Sequence, residues 1–204
     1  MFSGLKRKKV DFLGTALTLF FIMTIFGVLL ALTHLFTAPI VERSTEERLQ
    51  QSLHSLMEEA AEFQEVDEFE PIIVLGNERV PVRAVYNALD PLAESMGYCV
   101  RVTPNGYSNM IDMLVAIDRD GAVKSVSILS ISETPGIGMK VESDETFQSS
   151  VNGLTDTAKI VKTTPTVKEE IPVISGATVS STAYINGVNA AIEVVQPLRL
   201  GVLN

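Results

Sequence analysis

Ser175, Thr178, Ser180, Ser181 and Thr182 place five hydroxyl groups within eight residues, with Gly176 and Ala177 between the first two. The stretch follows an apolar run, EIPVI, and opens the helical pattern TVSSTAYINGVNAAIEVV. If the run is a strand and the helix starts near Thr178, the N–H groups of the first helical turn lack partners. Gly176 and Ala177 then leave that end sterically open. Such an end attracts anions, phosphate above all. The same residue types also serve a plainer purpose, with Thr178 or Ser180 as a helix N-cap. Read alone, the four letters SGAT favour the plainer use, a helix N-cap.

A second stretch, SETPGIGMK at residues 132–140, has Pro135 between Thr134 and Gly136, with Gly138 two positions on. Proline fixes one dihedral and glycine permits positive ones, so this loop has a defined path and another group can approach its backbone closely. Read alone it is a turn, and Glu133 is a solvated carboxylate.

Other chemistries lack their residues. His34, His54 and the single Cys99 do not make the usual ligand sets for zinc or iron–sulfur clusters, and one cysteine forms no internal disulfide. A Ser-His-Asp arrangement would need His34 or His54, both in or beside the membrane-proximal helix and away from the serine-rich stretch. No pair of carboxylates is singled out by spacing for general acid–base work. Four of the 16 basic residues and one of the 25 acidic ones lie in residues 1–11. That leaves 12 basic against 24 acidic, a charge of −12, in the rest. So acidic a surface repels phosphate backbones and argues against a nucleic-acid partner.

The elements that must position these stretches follow from hydropathy. Residues 1–11 are a basic N-terminus, and Phe12 to Phe36 run without Asp, Glu, Lys or Arg. As a helix that run is roughly 37 Å long, enough to cross a bilayer core. It reads as a retained anchor, because it exceeds a signal peptide's apolar region and Thr37 to Ile40 make a poor cleavage site. The basic residues before it place the N-terminus in the cytoplasm and the remainder outside. Residues 37–70 read as an amphipathic juxtamembrane helix and linker, with Leu49, Leu53, Leu56 and Met57 on one face and QEVDEFE as an acidic break.

Residues 71–204 read as one α+β domain with an antiparallel sheet and flanking helices. Strands are expected at 71–74 and 80–86, a hairpin over IDMLVAIDRDGAVKSVSILS, and strands at AKIVK and EIPVI. Helices are expected over SDETFQSSVNGL, capped by Ser143, and from Thr178 to Val195.

The combination of one N-terminal membrane helix, GYSNMIDMLVAIDRDGAV (106–123), ETPGIG (133–138) and SGATVSS (175–181) resembles the FMN-binding subunits of Rnf and Na+-translocating NADH:quinone reductase complexes. The G subunit of Rnf is the nearer likeness. The resemblance implies FMN attached covalently through a phosphoester to Thr178, with Ser175, Gly176, Ala177 and Ser181 around the attachment point. It implies that Glu133, Thr134, Pro135 and Gly136 line the flavin. It further implies an electron-transfer subunit of a ferredoxin:NAD+ oxidoreductase in the inner membrane. Its partners would be the other subunits of the membrane redox complex and a flavin transferase. Pro172 and Ile131 stand where the family commonly has Asp and His. One alternative keeps the flavin with other partners, as the C-type FMN subunit of a Na+-translocating NADH:quinone reductase or another anchored flavoprotein; a non-redox, anchored anion-binding scaffold is the reading from another class.

Overall fold

The computed structural model describes residues 12–201; the basic N-terminus read at 1–11 lies outside them. The chain divides into two compact units, Met1–Glu47 and Arg48–Asn204. Helix α1 (Phe12–Leu56) begins in the first and ends in the second.

In the first unit, Gly14–Leu35 has a mean hydropathy of 2.4 and is long and apolar enough to cross a membrane. Its threonines fit such a setting. Thr18, Thr24 and Thr33 each donate a hydroxyl to a carbonyl one turn back, at 2.8 to 3.0 Å, so each of these hydroxyls has an acceptor within the helix.

The second unit is built on strands β1 (Glu62–Glu65), β2 (Ile72–Leu75), β3 (Glu78–Leu89), β4 (Ser95–Val102), β5 (Asp112–Asp118) and β6 (Val123–Ser130). They form an antiparallel sheet in the order β1-β3-β4-β5-β6, with β2 also paired to β3. Alternation along β5 explains why it is apolar without a break from Met113 to Ile117, between the two terminal aspartates. Met113, Val115 and Ile117 belong to one buried cluster, while Leu114 and Ala116 belong to another with Leu49, Leu53, Leu56 and Met57. Both faces of the sheet are covered, so the strand has no solvent side to fill with polar residues.

The first cluster is closed by α4 (Thr178–Arg199), which follows α2 (Lys140–Ser143), α3 (Glu145–Ser149), β7 (Lys159–Val161) and β8 (Glu170–Pro172). Strands β7 and β8 make a separate parallel pair. Helix α4 lies close on the sheet because Gly187 faces Met113 and Pro104: a Cβ there would stand 2.6 Å from Met113 Sδ and 3.1 Å from Pro104 Cγ. It is also tied to the start of β7. Buried Asn189 accepts from Ala158 N at 2.8 Å and donates to Ala158 O at 2.9 Å.

Several elements differ from the sequence expectation. Strand β1 lies within residues 37–70, expected as helix and linker, and pairs with the far end of β3. Strand β4 carried no clear pattern. Gly97 interrupts it, yet the absence of a side chain lets it press on β5, where a Cβ would overlap Ile117 O. Helix α3 is capped by Asp144, not Ser143. The Asp144 carboxylate accepts from Thr146 N and Phe147 N, both at 3.1 Å, while Ser143 ends α2 and its hydroxyl turns back to Met139 O.

Two outcomes test this packing in the full chain in detergent. Leu53→Ala, at a fully buried position under the sheet, is expected to lower unfolding free energy by about 2–5 kcal/mol in denaturant titrations. Burial pushes the Cys99 thiol up from its ordinary 9.0 to about 12, with Lys124 opposing the shift. A maleimide at about pH 8 should leave Cys99 unmodified until the chain unfolds. The unfolded thiol ionises at lower pH than the folded one, so this group's contribution to stability falls as pH rises above about 9.

Candidate functional site

Helix α4 opens without a side-chain cap. Ala177 occupies the N-cap position with φ −113° and ψ 36°, and neither Thr178 nor Ser180 bonds the helix start. Ala177 N donates to Ile174 O and Ser181 N to Ala177 O, each at 2.9 Å. Between them, the N–H groups of Thr178, Val179 and Ser180 have no acceptor among the described residues. Gly176, at φ +82°, turns the chain into the helix and has only Ile137 Cγ2 near the place of a Cβ, at 3.8 Å.

The hydroxyls that look alike in sequence have different uses. Thr178 is exposed, and its hydroxyl makes no hydrogen bond among the described residues. Ser180 is buried and donates to Glu133 Oε2 at 3.0 Å. Ser181 is fully buried and accepts from Ile174 N at 3.3 Å, holding the turn before the helix. Thr182 donates to Thr178 O at 2.8 Å within the helix.

The loop after β6 meets this helix end. Pro135 and Gly136 occupy the two central positions of a turn closed by Ile137 N donating to Thr134 O at 3.2 Å. With φ +72° at Gly136, this is the pattern of a type II turn, for which Pro and Gly in that order are the suited residues. The turn brings Glu133 inward. The residue is 6% exposed, and its carboxylate accepts from Ser108 N at 3.1 Å as well as from Ser180.

A cavity of about 440 Å³ lies between the two stretches, lined by Tyr107, Glu133, Thr134, Ile137 and Gly138 on one side and by Gly176 to Ser180 on the other. Glu133, Thr134, Gly176, Ala177 and Thr178 therefore come together as neighbours. Pro135 and Gly136 shape the turn without lining the cavity, and Ser181 points into the core. Ser175 faces a different, open groove of about 800 Å³ against α2 and α3, lined also by Lys140 and Phe147. Tyr107, Ile137 and Val179 were not singled out from sequence, although all three expose much of their apolar surface here, at 73%, 46% and 48%. All three stand inside the motifs GYSNMIDMLVAIDRDGAV, ETPGIG and SGATVSS; nothing in their spacing marks them. Pro172 is exposed in β8, and Ile131 packs against the core rather than facing the cavity.

Among the described residues, no lysine or arginine lines the cavity. An anion there would be held by the free N–H groups and the helix dipole, which act at short range and are compatible with an acidic domain. The exposed apolar side chains around the same space suit a flat aromatic group.

Residues 106–193 match the family described as an FMN-binding domain. Over 187 residues the chain is 30% identical to the G subunit of the Na+-translocating ferredoxin:NAD+ oxidoreductase complex of Acetobacterium woodii, covering 89% of this chain and 90% of that protein. The chain belongs to the family of G subunits of ion-translocating oxidoreductase complexes. Another member of the family, from the proton-translocating ferredoxin:NAD+ oxidoreductase complex of Clostridium ljungdahlii, is 26% identical over 83% of each chain. The crystal structure of Shewanella oneidensis NqrC aligns with a TM-score of 0.47 and 18% identity over 71% of this chain and 72% of that one. The FMN-binding family match begins at Gly106, beside Tyr107, and ends within α4, so it takes in both walls of the cavity.

Gly138, which lines the cavity, is closely packed. A Cβ there would stand 2.8 Å from Glu133 Oε2 and 2.9 Å from Ser180 Oγ. Gly138→Ala should therefore part the Glu133–Ser180 hydrogen bond and cost about 1–3 kcal/mol in denaturant unfolding.

Proposed function

We propose that this chain is the electron-transfer subunit of an ion-translocating ferredoxin:NAD+ oxidoreductase complex and carries FMN as a phosphoester of the Thr178 hydroxyl. The observation that carries the reading is the first turn of α4: three N–H groups without acceptors among the described residues, beside an exposed, unbonded threonine hydroxyl. A phosphodiester keeps one negative charge, which is what such a helix end accommodates. When bound, FMN supplies one- and two-electron redox chemistry.

The chain's own residues bind and orient. Thr178 is an anchor and not a nucleophile in turnover, and the N–H groups of Val179 and Ser180 hold phosphoryl oxygens. Gly176 and Ala177 leave room for a flavin transferase to reach the hydroxyl. Tyr107, Ile137 and Val179 offer apolar surface to the ring and keep water from part of it. No separate substrate site is assigned to the chain; it passes electrons between the redox centres of neighbouring subunits.

The reading includes a location. Gly14–Leu35 anchors the chain in the cytoplasmic membrane by a single span. Residues 1–11, carrying Lys6, Arg7, Lys8 and Lys9, stay cytoplasmic, and the FMN-binding domain lies on the opposite side.

Intact-mass spectrometry of the chain purified from cells that contain the transferase tests the attachment. The native chain should be heavier than its amino acids by one FMN less one water, and its band should fluoresce in a denaturing gel. Thr178→Ala should have the unmodified mass and a dark band, while Thr178→Ser should retain some fluorescence. An unmodified native chain would overturn the assignment and favour the scaffold reading.

A further inference from the structure

Glu133 lines the cavity, and both oxygens of its carboxylate are engaged by donors of this chain. One oxygen accepts from Ser108 N at 3.1 Å and the other from Ser180 Oγ at 3.0 Å, and the residue is 6% exposed. These partners lie 25 residues before it and 47 residues after it in the chain. One partner belongs to the loop that carries Tyr107, the other to the first turn of α4 that carries Thr178. Each side of the carboxylate is closed by a glycine with no space for a side chain. A Cβ on Gly106 would overlap Glu133 Oε1, and one on Gly138 would stand 2.8 Å from Oε2. Gly106 is fixed in turn by donating its N–H to Asn109 O at 2.9 Å.

We infer that Glu133 is a positioning residue that locks the Tyr107 loop to the first turn of α4 and so sets the gap between the tyrosine ring and the anion-holding helix end. The consequence for the ligand rests on the function proposed above. A planar ring tethered at Thr178 through a ribityl phosphate has a bounded reach, and it stacks against the Tyr107 wall most fully when the loop at 106–109 is held at a fixed separation from residues 178–180. A carboxylate suits the task because it accepts from both donors at once, and a charged acceptor makes the stronger bonds. Glu133→Gln keeps the arrangement by another route: its carbonyl oxygen accepts from Ser108 N, and its amide donates to Ser180 Oγ, since a hydroxyl can accept as well as donate. Glu133→Ala removes both ties.

The full-length chain in detergent provides two measurements. Hydrogen exchange followed by mass spectrometry reads the lock without reference to any ligand. Glu133→Ala should speed exchange several-fold in peptides covering both 106–109 and 178–182, while strand β5 stays protected and Glu133→Gln behaves as native. Exchange that changes in neither segment, or in only one, overturns the lock.

Flavin emission from the same preparations reads the gap, because a stacked phenol quenches it. Tyr107→Leu should raise emission per attached flavin several-fold, Glu133→Ala should do the same with Tyr107 still in place, and Glu133→Gln should not. Native emission in flavinylated Glu133→Ala overturns the role, as does a Glu133→Gln variant as bright as the alanine variant, which would mean that the charge acts on the ligand directly. If Glu133→Ala does not fold, Ser180→Ala, which loses one of the two ties, takes its place with the same expected directions. A native chain without flavin overturns the functional reading and with it the consequence for the ligand; exchange then still decides the lock.

Discussion

Three backbone N–H groups at the start of α4 have no acceptor among the described residues, and the rest of the domain is arranged so that they stay that way. Helix starts are ordinarily closed by a Ser, Thr, Asp or Asn side chain, and hydroxyl residues are plentiful here. Each nearby one is diverted. Ser181 is spent on Ile174 N, Ser180 on Glu133 and Thr182 on the helix's own carbonyl, while Ala177 at the cap position has no group to offer. The open end is thus a consequence of where the hydroxyls fall around the helix. At about 100° per residue, Ser180 and Ser181 turn inward to buried partners, and Thr178 turns outward.

An unsatisfied helix end retains a defined geometry only if the helix itself is immobile. That rigidity comes from the core and not from the site. Gly187 brings α4 against Met113 and Pro104, and Asn189 satisfies both backbone groups of Ala158 in a buried setting, where leaving either unpaired would cost about 1–3 kcal/mol. The sheet under α4 is buried on both faces, so it offers a stiff platform. Glu133, on the loop after β6, then accepts from both the loop before β5 and the first turn of α4.

The sequence disclosed those parts of the fold whose signals are local. The β5–β6 hairpin has two β-branched runs around a turn, and α4 has a long helical pattern after a small-residue entry; both are where the pattern puts them. Strand β4 was hidden because Gly97, Arg101 and Ser95 break the apolar run, although it is a central strand with partners on both sides. Its membership is decided by Gly97's fit against β5 and by the Arg101–Asp112 ion pair at 2.6 Å, which are contacts between segments. In the same way, the two motifs of the site could each be read as a turn and a helix entry, and the type II turn at Pro135–Gly136 follows from two adjacent letters. Glu133 could not be placed from its neighbours. A carboxylate on a loop is solvated unless distant donors enclose it, and its donors lie on segments that sequence proximity does not join.

The distribution of charge has the same logic at larger scale. The domain is strongly acidic, and long-range attraction would not draw an anion to it, nor does any basic side chain among the described residues line the cavity. Within hydrogen-bonding reach the balance reverses, because N–H dipoles at contact outweigh carboxylates that are distant and screened over about 8–10 Å at ordinary ionic strength. A site of this kind is poor at capturing a freely diffusing phosphate but well suited to holding one that is tethered, since the covalent link supplies the local concentration that the field does not. An acidic surface and an anion-holding helix end are therefore compatible in one domain, and the proposed attachment at the outward Thr178 hydroxyl would supply the tether.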